Sequence, residues 1–341
     1  MFAIKIEKSK AQVVIAKLRE ENNLDNNYKI KRDDVSVIVP VLTITADIKA
    51  FEVKEQLENQ KPVSKGFKDI LLDEGVPKEI VSQINSAYDI VGDIVIIGID
   101  KELTPYYLAI GKALLKLHSS AKTVLNKIGE HKGVYRTQDM ELVYGEDTRE
   151  TIIKENGCKV KIDVEKVFCS TRLSEERRRI FSLVKTGETI GVFFAGAGPF
   201  ALAIVKNKEV KEIVAIELND LAVKYLIENI KLNHTEDIIK PILGDVKTEA
   251  LKYPSYFDRV IMPLPKSAEL FLDSAILATR NNGYIHLYKF VSKDDPYTET
   301  ENEIKTIAKA NNVTLEIVNQ RIIRSYSPSI VQIVVDLKLK K

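Results

Sequence analysis

The second half of the chain alternates apolar strand-like runs with amphipathic segments, and this alternation constrains the fold more than any other feature. From about Thr171 onward the strand patterns are interleaved with helical patterns. Repeated strand–helix units require a parallel sheet that is covered on both faces. Two last strand patterns flank a turn at Tyr326–Pro328 and predict an antiparallel hairpin at the sheet edge. We therefore predict an α/β fold with a doubly wound, Rossmann-like sheet.

The rest of the chain divides at a linker and at a change of pattern. At roughly 100–200 residues per domain, a chain of 341 residues predicts two or three domains. The polar stretch at 60–66 contains Pro and Gly, which is typical of a linker. We predict two smaller α+β domains, at 1–62 and 66–172, before the doubly wound domain at 173–341. The middle domain is expected to hold a small mixed sheet with strands at 123–128, 140–144 and 158–170.

Composition excludes several classes of protein. Lys and Arg total 51 and Asp and Glu total 49, so any site for a polyanion must be a local patch. No run approaches the ~18 apolar residues of a membrane span, and the first residues lack the apolar core of a signal peptide. Two cysteines and four scattered histidines form no pattern of metal ligands. We predict a cytoplasmic protein with no membrane span and no metal.

The first strand of the predicted sheet ends in a glycine turn at 194–200. Ligands of such sheets bind beyond the carboxyl ends of the strands, and glycine lets the backbone approach them closely. Gly196, Gly198 and Ala201 match the dinucleotide fingerprint. Glu217 ends the second strand, where an acidic side chain can accept hydrogen bonds from ribose hydroxyls. The turn predicts a nucleotide-containing ligand, although a tight turn without a ligand has the same pattern.

Two features favour S-adenosylmethionine over a nicotinamide dinucleotide. Pro199 has no backbone N–H at the point where a pyrophosphate would require donors. Asp245, after the third strand, suits an adenine amino group, and Pro263 and Pro265 end the fourth strand, which suits a flat base. We predict a methyltransferase dependent on S-adenosylmethionine, with a nicotinamide-dependent dehydrogenase as the alternative. Taken singly, Glu217 and Asp245 are also compatible with solvated loop acids.

Several longer motifs follow one another along the chain. They are the run at 163–177 before the glycine turn, Arg136 in 135–142, Gly145-Glu146, Glu155-Asn156-Gly157, the run at 258–266 and the run at 324–328. Together they resemble the archaeal and eukaryotic tRNA (guanine-37-N1)-methyltransferase family, over residues 93–341 and more loosely before them. The resemblance implies a three-domain enzyme, and we expect it to be a monomer. Its N-terminal domain would dock on the outer corner of tRNA, and the other two domains would grip the anticodon loop.

The resemblance also implies roles for particular residues. Glu176 corresponds to the base that removes the N1 proton of guanine, and Arg136 to the cation that binds O6. Pro263 is placed at the same reacting centre. The implied cofactor contacts are Arg177, Phe194, Gly196, Gly198, Pro199, Glu217, Leu218, Asp245 and Val246, and the substrate contacts are Arg172, Pro265, Arg324 and Tyr326. Without the resemblance, 175–179 is typical of a solvated helix start, and Arg136 of a surface arginine.

Three positions depart from the family pattern. Val192 stands in place of an Asp, Phe168 in place of a Tyr, and Pro263 in place of an Asn. Proline lacks the amide donor and acceptor of asparagine, so the base pocket should differ. In this respect the chain resembles an archaeal subgroup implicated in wyosine-type modification, which also methylates C7 of the tricyclic guanosine derivative. Two alternatives remain: a methyltransferase of this fold acting on another RNA or on protein, and an RNA-binding module without catalysis.

Overall fold

The computed structural model describes residues 2–43, 50–52, 65–133 and 137–341. The chain forms two compact units, Met1–Ile70 and Leu71–Lys341. Most of the predicted linker at 60–66 lies outside the described residues. The predicted boundaries at 62 and 172 remain predictions.

The first unit is a small antiparallel sheet with one helix packed on it. Its described strands have the order β2-β3-β1-β4, and apolar side chains of α1 pack on β1 and β3 around Ile4, Leu18 and Val39. The sequence pattern predicted a strand interrupted by Pro40, but β3 continues through that residue. The elements are β1 (Phe2–Glu7), α1 (Ala11–Glu20), β2 (Lys31–Arg32), β3 (Ser36–Val41) and β4 (Ala50–Glu52).

The next region contains the mixed sheet that the sequence predicts. Strands β5 and β6 are antiparallel, β6 and β7 are parallel, and β7 and β8 are antiparallel. Helix α4 packs against β7 and β8. The elements are α2 (Phe67–Asp73), α3 (Lys78–Gln83), β5 (Tyr88–Val91), β6 (Ile94–Ile97), a 3₁₀ turn (Lys101–Tyr106), α4 (Tyr107–Leu117), β7 (Thr123–Lys132) and β8 (Thr137–Gly145).

The third strand predicted for that sheet belongs to a separate hairpin. Strand β10 (Cys158–Asp163) pairs only with β9 (Glu150–Glu155), among the described residues. The predicted strand at 158–170 was therefore too long, because it ends at Asp163 and a 3₁₀ turn (Thr171–Leu173) follows. The hairpin packs on two helices of the large sheet, α6 (Pro199–Asn207) and α7 (Asp220–Leu232).

The doubly wound sheet is confirmed. Its seven strands have the order β13-β12-β11-β14-β15-β17-β16; neighbours from β13 to β15 are parallel, and β17 and β16 are antiparallel. All five residues of β11 are buried, as expected for a strand covered on both faces. The strands are β11 (Thr189–Phe193), β12 (Glu212–Glu217), β13 (Ile239–Leu243), β14 (Phe257–Met262), β15 (Thr279–Ser292), β16 (Thr314–Ser325) and β17 (Ile330–Lys340).

Helices cover both faces of this sheet and begin where the sequence supplies caps. Pro199 occupies the first turn of α6, where a missing N–H costs nothing. Asn219 caps α7 by accepting hydrogen bonds from the Leu221 and Ala222 amides. The helices are α5 (Ser174–Leu183), α6 (Pro199–Asn207), α7 (Asp220–Leu232), α8 (Val246–Glu249), α9 (Leu272–Ala278) and α10 (Thr298–Ala310).

Candidate functional site

The glycine turn between β11 and α6 leaves an open face at Gly196. Gly196 and Gly198 both have positive φ, +57° and +90°, which glycine adopts without strain. A Cβ on Gly198 would lie 2.4 Å from Leu226 Cδ1, so packing against α7 requires this glycine. A Cβ on Gly196 would meet only the Phe168 carbonyl, at 3.7 Å. The backbone at Gly196 can therefore be approached by a ligand.

Glu217 joins the glycine turn to the end of β12. Its Oε2 accepts a hydrogen bond from the Gly196 amide at 2.8 Å, and its Oε1 accepts from Leu218 and Asn219 at 2.9 and 2.8 Å. A carboxylate offers about four acceptor positions, so capacity for a further donor remains. This half-buried carboxylate both shapes the turn and can accept a ribose hydroxyl. It is not a solvated loop acid.

The ends of the next strands lie along the same edge. The Gly244 amide donates to the Glu217 carbonyl at 2.9 Å, which brings the end of β13 beside the end of β12. Asp245 is exposed there and caps α8 through the Lys247 amide. Leu218 is exposed on the same side, whereas the Val246 side chain is buried in the sheet core. Of the two apolar residues, only Leu218 presents its side chain at the surface.

The charged run at 175–179 separates into an outer and an inner set on α5. Glu175 and Arg178 are exposed, but Glu176 and Arg177 are only 3% and 2% exposed. Glu176 Oε1 accepts from Tyr288 Oη and from Arg179 Nη2, both at 2.7 Å, and Oε2 accepts from Arg179 Nε at 2.9 Å. The interpretation as a solvated helix start is therefore wrong for Glu176 and Arg177.

Phe200 brings the start of α5 next to the glycine turn. Phe200 follows Pro199 in α6, and its ring lies 5.9 Å from the Tyr288 ring. The Arg177 guanidinium carbon lies 5.7 Å from the same Phe200 ring. Arg177 also donates to Glu155 Oε2 at 2.8 Å and to the Ser170 carbonyl at 3.0 Å. Glu176, the predicted base, and Arg177, the predicted cofactor contact, are thus linked to the turn by Phe200. The sequence pattern did not identify Phe200 or Tyr288 as neighbours of these residues.

Behind Glu176, a buried polar network crosses the sheet. Arg179 also donates to both oxygens of Asp336, at 2.6 and 3.1 Å, and His286 Nδ1 lies 2.6 Å from Asp336. His286 Nε2 lies 2.7 Å from Arg259, which forms an ion pair with Glu188 at 2.8 Å. Burial lowers the pKa of His286. Although burial opposes ionisation, the contacts with His286 and Arg179 hold the pKa of Asp336 well below its usual range.

A cavity of about 240 Å³ adjoins the glycine turn. Three predicted substrate contacts, Arg172, Arg324 and Tyr326, line it together with Phe168. Arg172 is exposed and forms an ion pair of 2.6 Å with Asp89. Because the Phe168 carbonyl also faces Gly196, the cavity and the glycine turn are neighbours. The three predicted substrate contacts come from distant segments of the sequence, and the fold brings them together around one cavity.

The end of β14 connects the two parts of the site. Met262 pairs with Leu287 of β15, so Pro263 lies next to the level of Tyr288 in the neighbouring strand. The Pro265 carbonyl accepts a hydrogen bond from the Phe290 amide at 2.8 Å. The Phe290 ring in turn lies 4.3 Å from the Tyr326 ring. Pro263 is half-buried at this end of β14, and Pro265 is linked through Phe290 to Tyr326 in the lining of the cavity.

Two outcomes limit what the sequence could locate. Arg136, the predicted O6-binding cation, lies outside the described residues. Tyr288, Arg179 and Phe290 were missed, although Tyr288 and Phe290 share one face of β15 at the strand period of two.

Among the described residues, no group of three His, Cys, Asp or Glu side chains is placed to hold a metal ion. No helix in the described part of the chain is long and apolar enough to cross a membrane.

Comparison with known proteins identifies the family. A model of the TRM5/TYW2 methyltransferase domain matches residues 151–317, a TYW2 N-terminal domain matches 67–148, and a tRNA methyltransferase 5 N-terminal domain matches 3–49. The tRNA (guanine(37)-N(1))-methyltransferase Trm5b of Pyrococcus abyssi is 37% identical over 339 residues, covering 99% of both chains. The chain belongs to the TRM5/TYW2 methyltransferase family.

Other relatives in the TRM5/TYW2 family carry names that give different substrates. A Nanoarchaeum equitans protein, tRNA (guanine(37)-N(1))/4-demethylwyosine(37)-methyltransferase Taw22, is 34% identical over 65% of this chain and 88% of its own. The solved complex of aTrm5 with tRNALeu superposes with a TM-score of 0.70 at 32% identity, covering 99% of both chains. Methanocaldococcus jannaschii TYW2 with AdoMet gives 0.59 at 29% identity, covering 75% of this chain and all of that one.

Proposed function

We propose that this chain transfers a methyl group from S-adenosylmethionine to N1 of guanosine 37 in tRNA. The observation that carries the proposal is the position of Glu176. Its carboxylate accepts a hydrogen bond from Tyr288, whose ring packs on Phe200 in the first turn of α6, directly after the glycine turn. The cavity lined by Arg172, Arg324 and Tyr326 adjoins that turn at Phe168. Membership of the TRM5/TYW2 family and the relative named for guanosine-37 N1 methylation support it.

The residues at the sheet edge fit S-adenosylmethionine. Gly196 is open to an approaching ligand, and Glu217 retains an acceptor position after binding the turn. Leu218 offers an exposed apolar surface, and Asp245 an exposed carboxylate for the adenine amino group. When bound, S-adenosylmethionine supplies an electrophilic methyl group on a positively charged sulfur. Arg177, beside Phe200, borders the same site.

The chain's own residues must make guanine N1 nucleophilic and hold it in line. Neutral guanine carries a proton on N1, and Glu176 accepts this proton while the N1 electron pair forms the bond to the methyl carbon. The bond between that carbon and sulfur breaks in exchange, and its electron pair stays on the departing sulfur. Arg136 stabilises the negative charge that develops towards O6. The aromatic pair Phe290 and Tyr326, with the cations of the cavity, holds the flipped nucleotide, since anticodon-loop bases can be splayed out and stacked. The enzyme acts as a metal-free monomer in the cytoplasm, with its N-terminal unit on the outer corner of tRNA.

Pro263 favours a second activity, methylation of C7 in the tricyclic wyosine precursor. A proline at this position offers no side-chain amide to pin a base edge, so a larger base can rotate within the pocket. The Leu264 amide donates to the Met262 carbonyl at 2.8 Å across Pro263, which makes a tight turn with an apolar surface. A family relative named for both activities supports this proposal.

The experiment is methyl transfer from labelled S-adenosylmethionine to tRNA transcripts, followed by nucleoside analysis. We expect 1-methylguanosine from a transcript with guanosine 37 and no product from the matched transcript with adenosine 37. Label in another nucleoside would favour a methyltransferase of the same fold acting elsewhere on RNA. Absence of transfer, together with binding of a nicotinamide dinucleotide, would favour the dehydrogenase.

A further inference from the structure

Tyr288 is a buried residue of β15 that makes one side-chain hydrogen bond to the predicted base. Its side chain is fully buried, and its hydroxyl donates to Glu176 Oε1 at 2.7 Å. Burial and the neighbouring Glu176 carboxylate raise the pKa of Tyr288 well above its ordinary value. The hydroxyl therefore stays protonated at every pH at which the enzyme can work, and it acts only as a donor towards Glu176.

The donors on Glu176 are distributed unequally between its two oxygens. Oε1 accepts from Tyr288 and from Arg179 Nη2, whereas Oε2 accepts only from Arg179 Nε among the described residues. The charged groups that face this carboxylate are Arg179 on its own helix and, beyond Arg179, Asp336 on β17. Asp336 is itself held by His286 on β15 and by Asn319 on β16. Oε2 is therefore the oxygen with the greater remaining capacity to accept a proton.

We propose that Tyr288 is a positioning residue that occupies Oε1 of Glu176 and so directs the guanine N1 proton to Oε2. The proposal deepens the proposed function and depends on it. The proton leaves N1 for Oε2, and the N1 electron pair remains available for the bond to the methyl carbon. Tyr288 does not contact the reacting atoms in this scheme. It acts by fixing the carboxylate and by stabilising its ionised form through a hydrogen bond.

The test is the pH dependence of single-turnover methylation in Tyr288→Phe. Loss of one donor disfavours the ionised carboxylate, so the acid limb of the profile should move upward by about one pH unit. The affinities for S-adenosylmethionine and tRNA should remain unchanged. Tyr256→Phe is the matched control, because Tyr256 donates a similar hydrogen bond of 2.6 Å to Glu212 away from the glycine turn. That variant should keep the wild-type profile.

A second substitution keeps the proposal testable if Tyr288→Phe does not fold. Replacement of Tyr288 by 3-fluorotyrosine retains the hydroxyl and makes it a stronger donor, so the acid limb should move to lower pH. Suppose the wild-type enzyme makes 1-methylguanosine but neither substitution moves the acid limb of the pH profile. That result would overturn the role of Tyr288 and leave the proposed function intact. A wild-type enzyme that makes no 1-methylguanosine would overturn the proposed function and this role together.

Discussion

At the scale of single residues, burial distinguishes side chains that look equivalent in the sequence. Five charged residues follow one another at 175–179, and the helix period turns Glu176 and Arg179 towards Tyr288 and Asp336. A buried carboxylate with three donors is costly to leave unpaired, so its partners are as constrained as the carboxylate itself. A site residue in this family is therefore better recognised by its partners than by its charge.

Glu217 should bind the cofactor and hold the glycine turn at once. Glu217→Ala removes the acceptor for three backbone amides as well as for a ribose hydroxyl. Since hydrogen bonds to a charged group contribute about 1.5–3 kcal/mol, the affinity for S-adenosylmethionine should fall by at least tenfold, with a lower melting temperature. Calorimetry measures both. Asp220→Ala is the control, because the exposed Asp220 forms only a long surface pair with Lys224 within the described part of the chain. Equal losses in the two variants would contradict the assignment.

Pro263 should determine which base the pocket accepts. In Pro263→Asn, an amide can pin the Watson–Crick edge of guanine, so N1 methylation should persist while methylation of the tricyclic precursor is largely lost. Mass spectrometry of tRNA carrying that precursor identifies the product. If the wild-type enzyme leaves the precursor unmodified while methylating guanosine efficiently, the second activity is wrong.

At the scale of elements, two asparagines attach the β9–β10 hairpin to the large sheet, Asn229 within α7 and Asn233 directly after its last residue. Asn229 bonds both backbone groups of Lys161 at 2.7 and 2.8 Å, and Asn233 bonds both of Lys159 at 2.9 and 2.6 Å. One helical turn and two strand residues span similar distances, so the two side chains match alternate residues of β10. Asn229 also donates to the Ala197 carbonyl in the glycine turn at 3.0 Å.

Asn229→Ala should lower the free energy of unfolding of the unit Leu71–Lys341 by about 2–4 kcal/mol, because backbone groups of Lys161 and Ala197 lose their buried partner. Urea unfolding measures the change. Glu228→Ala is the control: Glu228 is the adjacent residue, and its exposed ion pair with Lys161 should contribute less than about 1 kcal/mol. A loss in Asn229→Ala no larger than in the control would contradict this role of the asparagines.

Strand and helix patterns predicted the large sheet well, because buried parallel strands such as β11 are apolar along their whole length. The pattern could not show that β10 leaves the middle sheet, since β10 pairs with β9 alone among the described residues and its remaining backbone groups bond the side chains of Asn229 and Asn233. Local spacing also predicted the glycine turn and Glu217, whereas the roles of the motif residues were predicted from the family resemblance. Tyr288 and Arg179 were missed, because both make contacts with residues more than 100 positions away in the sequence. Tyr288, for example, donates a hydrogen bond to Glu176, which lies 112 positions earlier.

At the scale of the whole molecule, the network from Glu176 to Glu188 links α5, β14, β15 and β17 through buried charges. Its groups connect Glu176 on α5 to the interior of the sheet through Arg179, Asp336, His286 and Arg259. Breaking a buried pair by removing one partner leaves an uncompensated charge. We therefore expect stability to depend on pH through this network.

The free energy of unfolding should fall as the pH is lowered from about 7 to about 5. The folded pKa of His286 is lowered by burial, so below the unfolded value of about 6.5 only the unfolded chain binds this proton. The slope can reach about 1.4 kcal/mol per pH unit. Asp336, whose folded pKa is also lowered, adds a further loss below about pH 4. In His286→Gln the slope between pH 7 and 5 should decrease, and an unchanged slope would show that His286 does not cause it.

Single-turnover methylation of a guanosine-37 transcript by Glu176→Gln tests the central claim most directly. The amide cannot accept the N1 proton, so the rate should fall by about 10²–10⁴-fold. The affinities for S-adenosylmethionine and tRNA should persist, and loss of the charge opposite Arg179 should lower the melting temperature. A folded Glu176→Gln enzyme that methylates N1 at the wild-type rate would contradict the claim that this carboxylate is the base.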